Sequence, residues 1–167
     1  TSRVWALHRK TGELTEIRPR NQYRFHMHCS WSFDGRYVLY HSRDYDDAFD
    51  YFGKNGGRHY IGAADLHGNV AWERVFPHLY YGHVTGHTQR NSVVFDSLTT
   101  PDLICEIEFD RLAPDEQPEV KILAQHSSTL TTGSAPSHPH MLLSPDGRWM
   151  VYNWGDMERS DVYLVAL

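Results

Sequence analysis

Ser137-His138-Pro139-His140-Met141-Leu142-Leu143-Ser144-Pro145-Asp146-Gly147 puts an imidazole on each side of one proline, then an apolar triplet, then a tight turn. Alternate residues of an extended strand face the same side. The stretch therefore predicts a strand on which His138 and His140 point together, with Pro139 withholding a ladder donor between them. Such a pair is the start of a metal site or, read alone, two solvated polar residues at a strand edge. The same position recurs twice upstream, and that recurrence favours the site.

Aligned on His28, His83 and His140, three segments keep step without a gap through their first hairpin. Eight residues on stand Arg36, Asn91 and Arg148, and four further on stand Tyr40, Phe95 and Tyr152. The histidines are 55 and 57 residues apart. Self-similarity near that period, with four short strands per unit, predicts an all-β chain of β-propeller blades. Asp34-Gly35 and Asp146-Gly147 supply hairpin turns that need positive φ. Further strands are expected at Val4–Leu7, Leu14–Ile17, Tyr60–Leu66, Val70–Phe76, Leu103–Phe109, Val120–Leu123 and Val162–Val165, with a long loop over Ser42–Gly57. An immunoglobulin-like sandwich also has short strands, but it gives no reason for a histidine to return at one strand position.

The chain then divides into a trailing half-blade (1–21), a blade (22–78), a second blade (79–135) and the start of a last blade (136–167). Propellers close with typically about four to eight blades. About three blades form an open arc with two uncovered sheet faces, so the chain is expected to be part of a larger ring, completed by missing blades or by a partner chain.

Bulk composition narrows the function classes. With 167 residues, 40% hydrophobic and 22% charged, the chain can build one ordinary core. A net charge of -5 gives no basic patch for nucleic acid, and no apolar run is long enough to span a bilayer. Twelve histidines stand against two cysteines, and Cys29 and Cys105 form no spacing motif. Neither a disulfide framework nor a thiolate zinc site is indicated. A cytoplasmic location fits, as does an exported one, since any leader would lie upstream of Thr1.

The first strand of each propeller blade lines the central channel. His28, His83 and His140 are therefore expected to converge, with His138 beside His140. Three imidazoles suit a divalent first-row cation that keeps open positions for water and substrate. The blander alternative gives one of them a structural hydrogen bond to a neighbouring blade. His26 mimics the His138/His140 spacing and is a candidate for the same funnel. His41, His59, His67, His78 and His87 follow no repeat logic and read as surface or loop residues. The acidic, aromatic stretch from Asp44 to Phe52 reads as solvated, or as packed on a missing blade.

These segments resemble the oligogalacturonate lyases, polysaccharide lyases built on a seven-bladed β-propeller. The resemblance rests on His138-Pro139-His140 with its Ser-Pro-Asp-Gly turn and the closing Asp161-Val162-Tyr163-Leu164-Val165. It continues in His28, Trp31 and Asp34-Gly35, which look like a His-x-x-Trp-x-x-Asp-Gly segment, and in Arg3-Val4-Trp5, which looks like an Arg-x-Trp strand start. It covers the whole chain and implies the C-terminal portion of that fold. It further implies that His83, His138 and His140 bind manganese, that His28 is the catalytic base, and that Arg3 contacts a carboxylate of an acidic, pectin-derived oligosaccharide cleaved by β-elimination. One position departs: where the family has a glutamine three residues before the His-x-His pair, this chain has Ala135. Water, Gln125 or His126 are the available substitutes, and three histidines with water are also a common zinc set. The rival from another class is a non-catalytic propeller serving as a protein- or glycan-binding platform.

Overall fold

The computed structural model describes residues 3–19, 24–44, 58–76, 83–96, 102–113, 116–126, 138–155 and 158–167. β1 (Val4–Leu7) and β2 (Leu14–Arg18) pair as a two-stranded sheet. β3 (Arg24–Trp31), β4 (Tyr37–Asp44), β5 (His59–Asp65) and β6 (Val70–Val75) form a four-stranded sheet in chain order. β7 (Val84–Gly86), β8 (Ser92–Asp96), β9 (Leu103–Glu108) and β10 (Lys121–Gln125) form the next. β11 (Leu142–Leu143), β12 (Trp149–Gly155) and β13 (Ser160–Ala166) make a last, three-stranded sheet. Every pairing is antiparallel between consecutive strands, which is the meander of propeller blades. Among the described residues there is no helix, and so none long and apolar enough to cross a membrane.

The repeat is exact in hydrogen bonding. Counting from His28, His83 and His140, the second following residue pairs with the eleventh in all three sheets: Ser30 with Leu39, Thr85 with Val94, Leu142 with Val151. The fourth donates its backbone N–H to the ninth: Ser32 to Tyr37, His87 to Ser92, Ser144 to Trp149. In the first and third copies the turn is one motif. Ser32 and Ser144 donate Oγ–H to Asp34 and Asp146, whose carboxylates also take Arg36 and Arg148, and Gly35 and Gly147 supply φ of 69° and 68°. The middle copy has Asn91 in place of arginine, and this side chain reaches across to Asp34 of the preceding blade at 2.7 Å. The departure in sequence is thus a tie between blades.

Side-chain alternation then builds the cores. On the second strand of each blade one set of residues faces the preceding sheet: Val38 and Tyr40, Val93 and Phe95, Met150 and Tyr152. The residue between them faces the following sheet, as Leu39 and Val94 do. Each of the three apolar clusters is therefore shared by two adjacent sheets rather than enclosed in one.

One expectation changes. β4 runs on through Asp44 where a loop was expected from Ser42, because Ser42 and Arg43 pair with Tyr60 and His59 and the Asp44 N–H donates to the Arg58 carbonyl at 3.0 Å. The rest of that loop, 45–57, lies outside the described residues.

The two end sheets each show an apolar outer face. Trp5, Leu7 and Leu14 are exposed on β1 and β2, and Leu142, Val162 and Leu164 on the last sheet. Leu39 is fully buried between two sheets, whereas Leu164 is 61% exposed. Replacing Leu39 by alanine is expected to cost about 2–5 kcal/mol in denaturant unfolding. In this chain as an isolated monomer Leu164→Ala should stay within about 0.5 kcal/mol; a large loss there would mean that a second copy or a further blade covers this face.

Candidate metal centre

The innermost strands carry the imidazoles inward. Gly86 of β7 lies so close to β3 that a methyl group there would overlap the Trp31 carbonyl oxygen, and its N–H donates to Ser30 Oγ at 3.1 Å. That approach sets the ring of His28 against the ring of His83, centroids 4.4 Å apart. His140 lies 4.0 Å from His83, and His138 lies 5.2 Å from His83 and 5.5 Å from His140. The three repeat histidines meet around His83, with His138 beside them. One nitrogen each of His83, His138 and His140 falls within 4.8 Å of the others. The trio grades from buried His83 to exposed His140, so it opens to solvent on one side.

The His138/His140 pair arises differently from expectation. These residues precede the short β11 instead of lying within a paired strand. Pro139 offers no donor, but its carbonyl accepts the Asn153 N–H at 2.8 Å, while Asn153 Nδ2 donates to the His138 carbonyl at 3.1 Å. His140 then takes a left-handed φ of 45°. His28, its counterpart in the first copy, has φ 51° and sits in the irregular stretch of β3 between Met27 and Ser30. Left-handed backbone at a residue with a β-carbon is unfavourable and gathers at functional positions, and a bulge re-aims a side chain. These two are the only non-glycine residues with positive φ among those described.

Burial and mutual charge keep His138 and His140 in the ligating form. His138 and His140 are held below the ordinary imidazole range, first by desolvation and then by the neighbouring His83. His83 Nδ1 faces the Asp96 carboxylate at 2.8 Å. Three imidazoles, one of them backed by a buried carboxylate, are a donor set that fits a divalent first-row cation.

Beyond His28 the imidazoles continue. His41 stacks on His28 at 6.3 Å and on His59 at 5.4 Å, with His41 Nε2 and His59 Nδ1 3.2 Å apart. Burial drives His41 well below its ordinary range, and His59 to about 4 by burial and then by Arg43. Both are core residues, not the surface residues expected. His87 is also buried, beneath Gly147 of the next blade. His67 is exposed as expected, and His78 lies outside the described residues. His26 is buried edge-on to Tyr40, 5.6 Å away, and its pKa falls to about 4 through burial and the nearby Arg18.

Arg3 sits just before β1 and forms a half-exposed ion pair with Glu16 at 3.6 Å. Ala135 lies outside the described residues. Gln125 and His126 are not placed to replace the missing glutamine. Gln125 ends β10 and His126 follows it, at the edge of the sheet opposite β7 and roughly 14 Å from it at ordinary strand spacing. Three supporting residues escaped the sequence reading although the repeat contains them. His41, Asp96 and Asn153 each stand thirteen residues after a repeat histidine, and each touches that histidine or its strand.

No protein-family model matches the chain, and no curated protein matches it in sequence. Solved structures do. An oligogalacturonate lyase in complex with manganese superposes with a TM-score of 0.66 at 15% identity, covering 98% of this chain and 40% of that one. The oligogalacturonate lyase of Vibrio parahaemolyticus gives 0.61 at 17% identity, covering 97% and 41%. This chain thus spans about two fifths of the length of each. At such identity the likeness is one of fold: a partial β-propeller.

Two outcomes follow from these environments. His26 and His59 titrate near 4 when folded against an ordinary 6.5, so between those values the unfolded chain binds more protons. Stability should be full above pH 6.5 and decline as pH falls towards about 4, and urea unfolding of His59→Gln should show a flatter dependence than wild type. At His28, glycine should give a protein about 1 kcal/mol more stable than alanine, since only the β-carbon opposes the left-handed backbone; equal melting of His28→Gly and His28→Ala would remove the strain.

Proposed function

We propose that this chain carries the metal centre of a lyase that cleaves short oligogalacturonates by β-elimination. The meeting of His28 with His83, His138 and His140 supports it: a candidate base stands beside a candidate ion site that opens to solvent. His83, His138 and His140 would hold the ion. Manganese is the first choice, from the manganese complex of the structural neighbour, and zinc the second, with water in place of the absent glutamine. When bound, the ion supplies positive charge to a uronate carboxylate and stabilises the enolate-like charge of the elimination.

The chain's own residues supply the rest. The proton on carbon 5 of a uronate is weakly acidic because its carboxylate is anionic, so a base must be held against it. An imidazole, titrating ordinarily near 6.5, accepts that proton at neutral pH, and His28 has this role. The released electron pair forms the double bond between carbons 4 and 5. The bond from carbon 4 to the glycosidic oxygen breaks, the oxygen leaves with that bond's electron pair and takes a proton from water, and an unsaturated uronate remains. Arg3 neutralises a substrate carboxylate, exchanging its half-buried partner Glu16. Further blades, or a partner chain, cover the apolar end faces of the arc.

The experiment is ultraviolet absorbance of the conjugated double bond, with digalacturonate as substrate and with or without manganese. A metal-dependent rise is expected. His28→Ala should lower turnover about 10²–10⁴-fold with metal affinity kept, and His83→Ala should lose both. Unchanged activity in both variants would overturn these roles, and neither turnover nor metal uptake in the wild type would leave the binding platform.

A further inference from the structure

We propose that Asp96 is the positioning residue of the metal centre: its carboxylate selects the Nδ1-protonated tautomer of His83 and so presents Nε2 to the ion. This rests on the reading of His83 as a ligand. Asp96 ends β8, and its side chain is completely buried. Its Oδ1 accepts the His83 backbone N–H at 2.5 Å, and its Oδ2 faces His83 Nδ1 at 2.8 Å. The Asp96 N–H returns a bond to the His83 carbonyl at 3.3 Å. Among the described residues no lysine or arginine pairs with Asp96.

A buried carboxylate without a cation is costly, and its neighbours in β8 show that the strand packs well with apolar residues. The position is better explained by what a carboxylate alone does. It accepts two hydrogen bonds and donates none. With one oxygen taken by the His83 backbone, the other must receive a proton from Nδ1, so the lone pair is left at Nε2. The equivalent residues of the other blades, His41 and Asn153, also support the repeat histidines, through ring stacking and through a carbonyl. Neither has two acceptors. Only the middle blade, whose histidine lies in contact with all three others, carries the group that sets a tautomer.

Asparagine at this position is nearly isosteric and reverses the chemistry. Its one oxygen stays with the His83 backbone N–H, and its NH₂ then faces Nδ1, which must accept, so the proton moves to Nε2. Asp96→Ala, which imposes neither tautomer, should therefore be the milder change for metal binding. A merely structural role gives the opposite order, since asparagine fills the space that alanine empties.

The test is long-range ¹H–¹⁵N correlation of the metal-free protein, above the ordinary imidazole titration range, with His83 assigned by the signals lost in His83→Gln. The expected result is Nδ1–H in the wild type and Nε2–H in Asp96→Asn. Manganese titration should show Asp96→Asn weaker than wild type by about 10–100-fold and weaker than Asp96→Ala. The same tautomer in wild type and Asp96→Asn, or tighter binding by Asp96→Asn than by Asp96→Ala, would overturn the inference. Should Asp96→Asn not fold, an Nε2–H tautomer in the wild type overturns it without any variant, and Nδ1–H with weakened binding in Asp96→Ala upholds it. Absence of manganese binding by the wild type would sink the metal reading, while the spectra still decide whether Asp96 sets the tautomer.

Discussion

The absent side chain of Gly86 is the constraint on which the centre depends. Adjacent blades of this arc meet along their inner strands, and β7 can lie on β3 only because nothing projects between Gly86 and the Trp31 carbonyl. The N–H of Gly86 converts the near-contact into a hydrogen bond to Ser30 Oγ. His28 is two residues before Ser30 and His83 three before Gly86, so the backbone approach is passed directly to the two rings. A single methyl would force the strands apart at the point where the imidazoles converge.

Around that contact the molecule divides its tasks by side-chain alternation. Residues such as Val93, Phe95, Met150 and Tyr152 close the space between sheets, and these apolar clusters supply the stability. At the channel the same strands carry groups that oppose stability: buried His41 and Asp96, and left-handed His28 and His140. Such features persist where surrounding packing over-determines them. Here each blade's second strand serves both ends, with apolar residues ten and twelve positions after the repeat histidine and a polar supporting residue at thirteen.

The column of imidazoles runs from exposed His140 through buried His83 and half-buried His28 to buried His41 and His59. Solvent reaches the His140 end, and burial disfavours charge most strongly at His41. The proposed ion would sit towards the open end, while His41 and His59 at the buried end pack and brace. The difference in burial between His140 and the His41–His59 pair separates the exposed end of the column from the packed one.

The sequence by itself determined the blade repeat, the hairpins and the meeting of four histidines. Those features follow from hydrogen bonds spanning a few residues, such as the Ser-x-Asp-Gly-Arg turn, and from a two-residue alternation that any segment displays. Tertiary structure alone decided which of the other histidines are buried, how the residues flanking Pro139 turn without a paired strand, and that Gln125 and His126 stand at the far edge of their sheet. It also brought Asp96 to His83 across β7 and β8. A local segment encodes its own turns and faces, whereas contacts across strands and blades depend on the register and spacing of whole sheets, which are fixed only when the inter-sheet cores close.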